Sequence, residues 1–133
     1  MTLRIAIPNK GRLMEETIET LRSIGLRVPH NIDRTLMATV NDGKYQILFT
    51  RADDIPEFVS ISAADIGVTG LDLVAETGVQ VTKLLDLDYG RCRLVVAAPA
   101  STHASDLSDL PKNARVATSF PSLTRRYFER KKM

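Results

Sequence analysis

The chain has 133 residues, 44% hydrophobic and 26% charged, a balance that fits one folded domain and argues against intrinsic disorder. A folded chain of this size exposes about 6,900 Å² against about 21,000 Å² unfolded, so roughly two-thirds of its surface can be buried without covalent staples. One cysteine, Cys92, excludes an intramolecular disulfide framework and a multi-thiolate metal site. No apolar run approaches the ~18 residues of a membrane-spanning helix, and the opening residues show no secretory pattern. The expectation is a cytoplasmic protein with no membrane partner.

Eighteen basic and sixteen acidic side chains leave a net charge of +2, evenly mixed, which gives no general case for a nucleic-acid partner. The exception is the cluster Arg125, Arg126, Arg130, Lys131 and Lys132. It reads either as a phosphate or RNA contact or as the solvated face of a helix.

Short β-rich runs alternate with amphipathic stretches, the pattern of an α/β protein. Leu3 to Pro8 predicts a buried first strand. Leu13, Thr17, Ile18, Leu21 and Ile24 recur at helical spacing, with Gly25 as the C-terminal cap. Asn41-Asp42-Gly43 predicts a turn between strands around Leu36 to Val40 and Tyr45 to Thr50. Asp54 followed by Glu57 has the capping-box spacing, and Pro56 suits a first helical turn. Asp65 to Val68 predicts a short strand. Thr69 then reads as the cap of a helix, with Asp72 near its positive end.

Val81 to Leu87 and Cys92 to Ala98 predict two further strands, and Cys92 is expected to be buried. The segment from Ala100 to Asn113 is polar and turn-rich, Ala114 to Thr118 predicts another strand, and a basic helix starts at Pro121. That helix has no clear cap, and nothing after it returns to the sheet, so the expectation is an incomplete fold.

Three strand-to-helix turns hold the candidate chemistry. Asn9-Lys10-Gly11-Arg12 combines a glycine that admits close backbone approach with two cations at a helix start, where anions are welcome. Its spacing is not that of a Walker loop, and an ordinary basic turn is the alternative. In Thr50-Arg51-Ala52-Asp53-Asp54, Arg51 suits a phosphate or a base, and Asp53 suits an amine or hydrated Mg²⁺, unless the carboxylates serve as caps. In Asp65-Ile66-Gly67-Val68-Thr69-Gly70-Leu71-Asp72 two glycines and a hydroxyl offer several backbone N–H groups together, a nest for an anion or a base edge, with a structural role as the alternative for Gly67 and Asp72. All three turns point to one edge of one sheet. His30 and His103 have no serine or thiol motif beside them and read as surface residues. Tyr89, followed by Gly90, reads as a hinge or a ring-stacking position.

In order along the chain, Ile7-Pro8-Asn9-Lys10-Gly11-Arg12-Leu13, Thr50-Arg51-Ala52-Asp53-Asp54-Ile55-Pro56 and Ala63 to Asp72 closely resemble ATP phosphoribosyltransferase. The likeness continues through Tyr89 to Leu94, Arg115 to Thr118 and Pro121 to Phe128. It implies a two-lobed α/β fold like that of periplasmic binding proteins, with the active site in the cleft between lobes. Residues 1–89 would form most of the first, nucleotide-side lobe, and residues 90–133 would begin a second, incomplete one. The implied reaction joins ATP to phosphoribosyl pyrophosphate at N1 of the adenine, with Mg²⁺ assistance and release of pyrophosphate, at the start of histidine biosynthesis.

On that resemblance Lys10 and Arg12 hold phosphates, Arg51 contacts nucleotide, and Asp72 with the backbone of Thr69, Gly70 and Leu71 borders adenine or ribose, with Gly11 and Asp53 also in the substrate-binding set. Tyr89 completes the substrate-binding set; no catalytic nucleophile is assigned. The implied partners are further copies of the chain and, for the family's short form rather than the long form with its own regulatory domain, a histidyl-tRNA-synthetase-like regulatory subunit. Ser62 and Lys132 stand where the family often has glycine, and the family's downstream threonine- and glycine-rich phosphate loop is absent from the sequence. Two other readings remain open: a non-catalytic module for an anionic metabolite or nucleotide, and a fragment whose unfinished sheet another chain completes.

Overall fold

Alternation of side chains along the first strand decides how the sheet is covered. In β1 (Leu3–Pro8), Ile5 and Ile7 face one way and Ala6 the other, as a two-residue period requires. Parallel pairing with β3 (Tyr45–Thr50) repeats the pattern: Ile47 and Phe49 join Ile5 and Ile7, while Leu48 lies on the side of Ala6. A computed structural model describes residues 1–133, which divide into two units, Met1–Gly90 and Arg91–Met133.

The first unit holds a four-stranded sheet in the order β2-β3-β1-β4. β2 (Met37–Val40) pairs antiparallel with β3, and β4 (Ile66–Gly67) pairs parallel with β1. The helix α1 (Gly11–Ser23) buries Thr17, Ile18 and Leu21 against the Ile5, Ile7, Ile47 and Phe49 face, closed by Leu26, Val28 and Val40. Ile24, at the end of that periodic row, is exposed. The helix α2 (Ile55–Ser60) packs with Ala6 and Ala64 on the opposite face. The α3 helix (Leu71–Thr77) follows β4.

Helix ends carry the clearest local signals. Gly25, at φ +96°, ends α1 in a Schellman turn: its N–H donates to the Arg22 carbonyl at 3.0 Å, and that of Leu26 donates to the Leu21 carbonyl at 3.0 Å. The same paired bonds close α2 around Ser62 at φ +62°, through Ser62 N–H to Val59 and Ala63 N–H to Phe58. In the second unit, α4 (Pro121–Arg130) ends likewise with Lys132 at φ +57°. The expected lack of a cap there is corrected, and both non-glycine positions noted in the sequence are left-handed cap positions.

Other expectations are also corrected. Asp54 precedes α2 in a helical conformation (φ −88°, ψ −17°), so its side chain makes no cap bond and the capping box does not form. A capping side chain needs an extended backbone to swing over the first amides. Gly70, not Thr69, caps α3, because the Thr69 hydroxyl donates elsewhere. No strand forms over Val81 to Leu87, Cys92 to Ala98 or Ala114 to Thr118, since a strand needs a ladder partner and none of these runs has one. Leu84, Leu85, Val95 and Cys92 are consequently exposed. The chain exposes 10,100 Å² in total, above the about 6,900 Å² expected from its size, and residues 91–119 are nearly all at the surface.

Candidate functional site

The carboxyl ends of β3, β1 and β4 lie side by side, and each runs into a loop before a helix. Such an edge is where open α/β sheets receive ligands. The loops are laced together. The Asn9 N–H donates to the Thr50 carbonyl at 2.8 Å, joining the loop after β1 to the end of β3. The Thr69 hydroxyl donates to the Ala52 carbonyl at 2.9 Å, joining the loop after β4 to the loop after β3. The Val68 N–H reaches the Ala6 carbonyl at 2.9 Å. Lys10, Gly11, Arg12, Arg51, Asp53, Thr69, Gly70, Leu71 and Asp72 are thereby carried on one edge of one sheet.

Gly11 begins α1 at φ +76°, a left-handed conformation that a side chain strains, and no atom would crowd a Cβ there. Lys10 precedes it with extended backbone and caps nothing, and the first turn of α1 holds no acid. The first-turn amides and helix dipole therefore favour an incoming anion. The Arg12 guanidinium donates from Nε to Glu16 Oε1 at 2.8 Å, while its side chain stays 86% exposed. Arg51 lies 3.4 Å from Asp53 in a loose, exposed pair. Asp72 accepts from the Leu73 N–H at 2.9 Å, and a Cβ on Gly70 would collide with the same carboxylate.

Tyr89 is placed differently. Its hydroxyl lies 3.1 Å from Thr17 Oγ1 on α1, so its polar end is engaged by the scaffold. A Cβ on Gly90 would meet Leu13 Cδ1 at 2.9 Å, which sets this stretch against the first turn of α1. His30 and His103 are exposed. At the other edge of the sheet, Arg4 donates to both oxygens of Asp65, at 2.9 Å to Oδ1 and 3.2 Å to Oδ2. These side-chain bonds, with the Arg4 backbone N–H, hold the Asp65 carboxyl below its ordinary range and raise the Arg4 guanidinium. That pair clamps the starts of β1 and β4.

Two features of the edge escape the sequence motifs, and for a third, Gly67, the structure favours the structural alternative. Glu16 beside Arg12 was legible only as a four-residue spacing of opposite charges. The lacing carbonyls of Thr50 and Ala52 have no sequence signal. Gly67 is required by packing, since a Cβ would stand 2.5 Å from Ile55 Cγ2 and 2.9 Å from Val59 Cγ2. The described residues contain no group of three or more His, Cys, Asp or Glu side chains able to hold a metal ion, and no helix is long and apolar enough to cross a membrane.

The profile of the HisG family, ATP phosphoribosyltransferase, matches residues 51–133. A protein named ATP phosphoribosyltransferase from Gemmatimonas aurantiaca is 52% identical over 130 residues, covering 96% of this chain and 44% of the relative. One of the same name from Methanococcoides burtonii is 51% identical over 127 residues, with the same coverages. The chain thus spans under half the length of these curated relatives. Among solved structures, the ATP phosphoribosyl transferase (HisG:HisZ) complex from Thermotoga maritima superposes at a TM-score of 0.70. It shares 24% identity, over 98% of this chain and 59% of that one, which shows a common fold. With most of its length matched by the family profile and its fold shared, the chain belongs to the ATP phosphoribosyltransferase family.

Proposed function

We propose that this protein supplies the nucleotide side of an ATP phosphoribosyltransferase. That enzyme transfers phosphoribosyl from phosphoribosyl pyrophosphate to N1 of the adenine of ATP, releasing pyrophosphate in the first step of histidine biosynthesis. The observation that carries the proposal is the gathering of three cationic or amide-rich loops on the carboxyl edge of β3, β1 and β4, in a chain of this family. Residues 1–89 are read as most of the first lobe and residues 90–133 as the beginning of the second.

Displacement at the anomeric carbon develops positive charge on the ribose as pyrophosphate leaves with negative charge. Electrostatic stabilisation and positioning then supply most of the catalysis, and no covalent nucleophile is required. Lys10 and Arg12 hold phosphate oxygens at the open start of α1, where Gly11 lets the backbone approach. Arg51 contacts the nucleotide, and Asp53 accepts from an amine. Asp72 and the Thr69-Gly70-Leu71 backbone border adenine or ribose. With its hydroxyl held at Thr17, Tyr89 offers a ring for stacking.

Mg²⁺ prefers octahedral oxygen ligation, keeps several waters and usually binds through substrate phosphates. These residues form no all-protein cage for it, so its place in the proposal is on the substrates' phosphates. The proposed setting is the cytoplasm, as an oligomer, and the HisZ partner in the Thermotoga complex supports a regulatory subunit. A second reading, association with another chain through unfinished sheet, is favoured by exposed Leu84, Leu85 and Val95.

The test is pyrophosphate release from phosphoribosyl pyrophosphate on adding ATP and Mg²⁺ to the purified chain, beside ATP titration by calorimetry. Turnover assigns the whole reaction to this chain. ATP binding without turnover keeps only the nucleotide side. A folded chain with neither overturns the proposal, and concentration-dependent sedimentation then identifies the associating fragment.

A further inference from the structure

We infer that Glu16 is a positioning residue for Arg12, an inference that rests on reading Arg12 as a phosphate ligand. Arg12 projects from the first turn of α1 with 86% of its side chain exposed. Unsupported, so long a side chain samples many rotamers, and each must be given up on binding an anion. Glu16, one turn further along, restrains it: Oε1 accepts from Arg12 Nε at 2.8 Å. The carboxylate itself is held against the protein, with its side chain 24% exposed and Oε2 buried without a hydrogen-bond partner.

The choice of atom matters. Engagement through Nε alone leaves the terminal Nη groups, which form the end of the fork and suit two phosphate oxygens at once. Orientation matters as well. An arginine four residues before a glutamate is the weaker order for helix stability, so α1 gains little from this pair. A buried oxygen with no partner is a further cost to folding. The arrangement thus does more for the guanidinium than for the helix.

The experiment is a double-mutant cycle on the 133-residue chain, titrating inorganic pyrophosphate by calorimetry into the wild type, Arg12→Ala, Glu16→Ala and the double variant. Deleting a carboxylate also removes repulsion of the anion, an effect present with or without Arg12, and the cycle subtracts it. The expected result is that Glu16→Ala is less favourable to binding by about 2- to 10-fold when Arg12 is present than when it is absent, the cost of immobilising one rotamer-rich side chain. Glu16→Gln, which keeps an acceptor for Nε, recovers part of that difference. Zero coupling overturns the inference. Coupling of opposite sign also overturns it, because Glu16 then competes with the anion for Arg12. If Arg12→Ala alone leaves affinity unchanged, the phosphate reading of Arg12 fails, a result separate from either coupling outcome.

Discussion

Replacing Gly67 by alanine tests the packing that places the loop after β4 against the loop after β3. The new Cβ would stand 2.5 Å from Ile55 Cγ2 and 2.9 Å from Val59 Cγ2, against an optimum carbon separation of about 3.5–4.0 Å. Both obstructing methyls belong to β-branched side chains on α2, which in a helix have essentially one rotamer. Ile55 is fully buried, so its methyl, the nearer of the two, has no space to swing into and α2 must move by about 1 Å; Val59 is half-buried and obstructs less. Overpacking of this kind costs about 1–3 kcal/mol. For a cooperative unit the size of residues 1–90, each kcal/mol lowers Tm by roughly 4–8 °C. Thermal and urea unfolding of Gly67→Ala measures the loss, and Ile55→Ala in the same background removes the closest contact. The double variant is expected to be more stable than the sum of the single losses by over ~0.5 kcal/mol. Strict additivity, or an unchanged Tm for Gly67→Ala, refutes the steric account.

Arg51→Ala is expected to weaken ATP binding by about 1–3 kcal/mol, the loss of a charged hydrogen bond, as read by calorimetry. Ser62→Gly relieves a left-handed residue at the end of α2 and is expected to stabilise the chain by about 0.5–1 kcal/mol in urea unfolding, after allowing for glycine's added unfolded-state freedom. Asp65→Asn is expected to lower Tm at neutral pH. The Asp65 carboxyl is held below its ordinary range when folded, so its contribution is fully present above the unfolded carboxylate pKa. It fades as pH falls from the ordinary carboxylate range through the lower folded value, so the wild-type and variant Tm values should converge only in acid below that range. A Tm gap that persists at low pH would point away from the charge on Asp65.

Local signals in the sequence were sufficient wherever a segment's partner lay close or its backbone geometry was self-contained. Alternation in Leu3–Pro8, the turn at Asn41-Asp42-Gly43 and the Gly25 cap all appear as expected, because each rests on neighbouring residues. The three strand-to-helix loops were legible for the same reason, and so was the family. What side chains do in those loops was not. Asp54 and Thr69 have the composition of caps. One sits in helical backbone, and the hydroxyl of the other is taken by the Ala52 carbonyl, a contact seventeen residues away.

The limit is plainest after residue 80. Val81 to Leu87, Cys92 to Ala98 and Ala114 to Thr118 have the composition of strands and lie exposed without ladders, because β structure is a property of pairs and apolar composition supplies only one member. The sequence by itself determined an α/β chain of the ATP phosphoribosyltransferase family and the loops that face one sheet edge. Only the tertiary structure decided that Gly67 is required by α2, that Tyr89 is fastened to α1, and that Glu16 holds Arg12. The first two depend on distances between side chains that spacing along a chain does not encode, and the third on which atoms meet in a pair whose helical spacing only permits contact.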